Sequence, residues 1–103
     1  ASIREREGLS VVVEESVALR ARLVPQFRCA WITLTVHSAL QAVGLTAAFS
    51  AALGEVGISC NVVAGVFHDH LFVPVDRAHD AMDALRALQA RARTASVNDL
   101  SLE

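Results

Sequence analysis

Residues Gly57–Val75 read GISCNVVAGVFHDHLFVPV. Two apolar runs rich in β-branched and aromatic residues, 58–65 and 66–75, meet at Gly65. Runs of this kind bounded by glycine read as paired strands, and Gly65 marks the tight turn between them. Strand alternation in the second run sets Asp69, Leu71 and Val73 on one face and His68, His70 and Phe72 on the other. The Leu71/Val73 face needs a covering layer. The face with two imidazoles and a phenyl ring is left open for something else.

Upstream, Ala42–Val56 reads AVGLTAAFSAALGEV, a helix with Leu45, Ala48, Phe49, Ala52 and Val56 at helical spacing. Gly57 is placed to stop it. Its outer side, Thr46, Ala47, Ser50 and Ala51, is small and neutral, and Glu55 is its single charge. A solvated helix face usually carries more charge, so this helix is expected to be partly covered on both sides. Before it, Ser38–Gln41 reads as a loop and Phe27–Val36, FRCAWITLTV, as a strand. Alternation puts Trp31, Thr33 and Thr35 on one side, with His37 following in register, and Ile32, Leu34 and Val36 on the other. Downstream, Asp76 is expected to cap a helix over 77–92 whose apolar stripe is Ala78, Met82, Leu85, Leu88 and Ala92. Toward the start, Glu14–Leu23 reads as a short helix or turn ended by Pro25, and GLSVVVE, Gly8–Glu14, reads as a strand.

From Phe27 the order is strand, helix, strand, strand, helix. That is the split β-α-β pattern of the ferredoxin-like fold without its last strand. The expected class is α+β, a ferredoxin-like sandwich of one antiparallel sheet with two helices on one face. Either residues 9–14 or residues 95–100 fill the missing edge. The expected division is an N-terminal strand and linker at 1–24, a domain at 25–93 and a tail at 94–103. The closing SLE reads as an appended stretch and is left out of the fold reading.

Composition narrows the function. The chain has 103 residues, 53% of them hydrophobic, with a mean hydropathy of +0.43. A domain this small has little interior in which to bury so much apolar surface, so a covered face is expected, against a second copy, another domain or a membrane. The longest uncharged stretch holds too many polar residues for a membrane span. Net charge is −2, with no basic stripe, which excludes the usual nucleic-acid footprint. Cys29 and Cys60 form no CxxC and no disulfide framework; they read as buried thiols in a reduced, cytoplasmic protein.

Trp31–Val75, and in particular WITLTVHSAL, AVGLTAAFSAAL, GISCNVVAG and HDHLFVPV, resembles the ACT domain, the small ligand-binding module of amino-acid metabolism. More narrowly, it is similar to the C-terminal half of small bacterial proteins with two ACT-like domains and no catalytic domain. The resemblance runs over about Trp31 to Leu88. REREGLSVVVEE, Arg4–Glu15, resembles the end of the N-terminal half of those proteins, so segment 1–24 is expected to be a remnant of a preceding ACT-like half. The resemblance implies association through the sheet, as a homodimer or with a second ACT-like domain. It also implies a small-molecule ligand, an amino acid first, near the loop after the first strand. Ser38, Val43, Gly44, Leu45, Thr46 and Asn61 are the implied ligand contacts. Amides at a helix start favour a carboxylate, and Gly44 permits close backbone approach. No cofactor is implied. Trp31, His68, His70 and Phe72 are candidate interface residues.

Two other chemistries are weaker. His68 and His70, with His37, could offer imidazoles to a metal, but zinc signatures have more ligands at firmer spacing; a structural histidine pair at an interface is the preferred reading. Ser38 beside His37 is only a sequence-neighbour pair, and nothing resembles a nucleophile elbow, so no catalytic residue is assigned. The leading reading is a regulatory or sensory domain that binds a small metabolite without catalysis. The alternatives are a dimerisation module with an empty pocket and, behind it, a histidine-based metal-binding domain.

Overall fold

The computed structural model describes residues 1–36, 42–91 and 97–102, with side chains outside 35–46 and 91–103. In chain order the elements are β1 (Ser2–Glu5), β2 (Gly8–Val11), α1 (Glu15–Arg20), β3 (Cys29–Val36), α2 (Ala42–Glu55), β4 (Asn61–Ala64), β5 (His68–Pro74), α3 (Ala78–Arg91) and β6 (Val97–Leu102). A single 3₁₀ turn, Val75–Arg77, joins β5 to α3.

The main sheet is antiparallel with strand order β4-β5-β3-β6. This is the ferredoxin-like arrangement, and β6 completes it. The edge is therefore filled by the C-terminal segment, not by residues 9–14. Leu102 pairs with Ile32 and Ser101 with Thr33, so the closing residues first set aside take part in the sheet. Residues 9–11 instead join residues 2–5 in a separate two-stranded hairpin. The charged run Arg4–Glu7 hid that hairpin, because each of its four-residue strands has a single β-branched residue, Ile3 in one and Val11 in the other.

Helices α2 and α3 lie on one face. Ile32 and Leu34 of β3 and Leu71 and Val73 of β5 are fully buried against Phe49 and Leu53 of α2 and Ala81, Met82 and Leu85 of α3. The alternation read from sequence thus puts the right residues inside. Within the helices the pattern shifts: Leu53 and Ala81 are buried where Val56 is exposed. Val56 lies beyond the last turn of α2, where the chain is already leaving the helix. Ala47, Ser50 and Ala51 are exposed in this single chain.

The helix ends follow from backbone chemistry. Gly57 has φ +72°, the Ile58 amide donates to the Leu53 carbonyl at 2.9 Å and the Gly57 amide to the Gly54 carbonyl at 3.1 Å. This pair of bonds is the Schellman motif. The same motif closes α1 with Arg22 at φ 56°, where Leu23 donates to Ala18 and Arg22 to Leu19. That helix therefore stops before Pro25 acts. Asp76 is not an N-cap; it sits inside the 3₁₀ turn that begins after Pro74, and Arg77 is the residue that precedes α3. Arg77 holds the junction instead, donating to the Val56 carbonyl at 3.1 Å and pairing with Asp80 at 3.3 Å.

Candidate functional site

The face of the sheet away from the helices carries the polar and aromatic side chains. Register sets Trp31 opposite Phe72, Thr33 opposite His70 and Thr35 opposite His68. Because paired residues of an antiparallel ladder share a face, the four candidate interface residues stand together on the open side. Trp31, His70 and Phe72 are half-buried, and His68 is exposed.

Their geometry is specific. The Trp31 Nε1–H donates to His70 Nδ1 at 2.9 Å. Indole nitrogen is a donor only, so Nδ1 is the acceptor and the neutral ring carries its proton on Nε2. Thr33 Oγ1 lies 3.5 Å from the same Nδ1. Phe72 stacks on Trp31 with ring centroids 6.1 Å apart, and His68 meets His70 edge-on at 6.4 Å. Thr33 is buried although polar, a contact that depends on cross-strand register and so has no local signal in the sequence. Gly65 closes the group: its amide donates to the His68 carbonyl at 2.8 Å, and a methyl there would also stand 3.5 Å from His70 Nε2.

Asp69 faces the other way. It is buried beside Leu71 and Val73 on the helix-covered side, as alternation requires. It stands near the start of β5, level with Leu34 and close to where β3 ends.

The implied ligand contacts divide. Ser38 lies outside the described residues. Val43, Gly44, Leu45 and Thr46 fall in the first turns of α2, and their side chains lie outside the described set. Asn61 is exposed and pairs with Phe72, in line with Trp31. It is three residues from Ala64, roughly 10 Å down the strand at about 3.3 Å per residue. Asn61 therefore stands toward the opposite end of the sheet from Val36, the last residue of β3.

Among the described residues no three metal-type side chains cluster; His37 lies outside them. Both thiols are free, but neither is buried in the expected way: Cys29 is exposed and Cys60 half-buried. Cys29 opens β3 opposite Pro74 at the margin of the sheet, where the covering layer ends. Partial burial still pushes its thiol above the ordinary range, away from the reactive thiolate. No helix among the described residues is long and apolar enough to cross a membrane.

Comparison with known proteins agrees with this architecture. Residues 26–87 match the ACT domain family. The crystal structure of a Vibrio cholerae protein of unknown function, described as a possible transport protein, superimposes with a TM-score of 0.73 at 53% identity. That alignment covers 82% of this chain and 65% of the other, so this chain spans less than two thirds of that protein's length. No curated protein matches. ACT domains are regulatory modules that often bind small molecules, and this chain belongs to the ACT domain family.

Proposed function

We propose that this chain is a regulatory ACT domain that binds a small metabolite, an amino acid first, and performs no chemistry of its own. The observation that supports it is the family match over residues 26–87, on a sheet ordered β4-β5-β3-β6. The ligand carboxylate meets backbone amides near Gly44 and Leu45, with Ser38, Val43 and Thr46 around it. The reading places the protein in the cytoplasm, in keeping with two free thiols.

Thermal unfolding against a panel of amino acids, with zinc and a chelator control, tests it. A ligand at about a hundred times its dissociation constant stabilises the folded state by about 2.7 kcal/mol, a readable rise in Tm. A rise with one or two amino acids supports the reading and names the ligand class. A flat panel counts against it, and a rise with zinc alone promotes the histidine-based metal site.

A second reading is favoured by one observation. Large apolar side chains stand in solvent: Val24 is 80% exposed, Phe27 60%, Val66 91% and Phe67 78%. On this reading the domain is an assembly module, pairing as a homodimer or with a second ACT-like domain, and segment 1–24 belongs to the interface. Light scattering decides: a monodisperse monomer at micromolar concentration sinks it.

A further inference from the structure

We propose that the Trp31–His70 hydrogen bond is a proton-operated latch on the open face of the sheet. It is closed when His70 is neutral and opened when the ring takes a second proton. The argument rests on donors and acceptors and is independent of any ligand. Trp31 Nε1 has a proton to give and no lone pair with which to accept. It gives that proton to His70 Nδ1 at 2.9 Å. An imidazolium carries N–H on both nitrogens, so protonation sets two donors against each other and the bond is lost.

A second arrangement is already built beside the first. Thr33 Oγ1 stands 3.5 Å from the same Nδ1, and Thr33 is buried on a strand fixed by pairing on both sides. Once Nδ1 bears a proton, the Thr33 hydroxyl accepts it. The half-buried indole then has lost its partner and turns its N–H toward water. One ring nitrogen thus chooses between two neighbours, and the proton decides which. The acid form also places a positive charge among Trp31, Phe72 and His68, so a partner seated on this face meets a different surface.

The titratable groups around His70 are few. His68 on β5 is the nearest, edge-on at 6.4 Å, and its own protonation adds like charge. Strand β4 offers none, since Asn61–Ala64 has no ionisable side chain. On β3, Cys29 is two residues before Trp31 on the same face. On β6, Asp99 occupies the register position beside Thr35. The N-terminal hairpin brings the Ala1 amino group, held by the Val12 carbonyl at 3.0 Å, into a cleft bordered by Val63, the register partner of His70.

Trp31 is the single tryptophan and the chain has no tyrosine, so the latch carries its own reporter. The experiment follows the Trp31 fluorescence and the indole N–H resonance from about pH 8 to about pH 5, across the imidazole range. The expected result is one transition in the wild type and in H68Q, and its loss in H70Q, with circular dichroism confirming that each variant is folded. A flat wild-type titration, or a transition that survives in H70Q, overturns the proposal. Nitrogen chemical shifts of the wild-type imidazole keep the test decisive should H70Q fail to fold. At high pH, Nδ1 must be the unprotonated nitrogen and Nε2 the protonated one. The opposite tautomer overturns the latch.

Discussion

A methyl group built on Gly65 would stand 2.8 Å from the His68 carbonyl oxygen, closer than such contacts occur. That oxygen is backbone and already accepts the Gly65 amide, so it has no easy way to retreat. Gly65→Ala is therefore expected to cost about 1–3 kcal/mol, the usual penalty of overpacking, read as a lower urea midpoint with unchanged slope. A loss below about 0.5 kcal/mol would show that the turn gives way freely. Burial sorts the neighbouring strand positions. Leu71→Ala, at a fully buried site, is expected to cost about 2–5 kcal/mol, whereas Val63→Ala, 43% exposed, costs far less. The split into faces was legible, because Leu71 and Val73 alternate with His70 and Phe72 over an unbroken run. The meeting of Thr33 with His70 was not, since residues 37 apart meet only through strand register.

At the scale of elements, two helix ends use the same left-handed backbone with different residues. Gly57 suits φ +72°, while Arg22 bears the steric cost of φ 56°. Gly57→Ala is expected to destabilise the fold by about 1–2 kcal/mol, and Arg22→Gly to leave α1 as stable or more so. A lower Tm for Gly57→Ala beside an unchanged or higher Tm for Arg22→Gly checks the pair; parallel losses would contradict it. The glycine stop was readable because Gly57 follows an apolar helical stripe. The misreading of Asp76 has a local cause: the chain leaves β5 through Pro74 straight into a 3₁₀ turn over Val75–Arg77, so the residue just before α3 is Arg77 and the good capping residue falls inside the turn, one position too early. Residues 2–5 carry three charged or polar side chains, and their pairing with 8–11 comes from the short turn between them rather than from apolar pattern.

The whole molecule measures 45 × 27 × 22 Å, with a radius of gyration of 14.6 Å against about 13 Å for a compact chain of 100 residues. The ferredoxin-like plan was legible because it rests on element order, and order survives errors of a few residues at each boundary. The sheet edge was not decided, since Val97–Leu102, VNDLSL, has a strand's length but a loop's polarity. The ligand contacts were open to resemblance alone, as capping and carboxylate binding ask for the same small residues at a helix start. On the assembly reading, Ile3→Asp and Val11→Asp together are expected to shift light-scattering mass toward the monomer. No such shift in a dimeric wild type would place the contact elsewhere.

The N-terminal hairpin makes its extensive contacts within itself, with β1 against β2. Cooperativity in a small protein comes from shared burial, and little is shared here. Amide protons of β1 and β2 are thus expected to exchange with deuterium much sooner than those of Ile32, Leu34 and Leu71, in two tiers rather than one. A brief protease pulse should trim the hairpin and leave the sheet and its helices as the resistant fragment. The hairpin behaves as a hinged appendage whose rigidity is set by whatever it leans on.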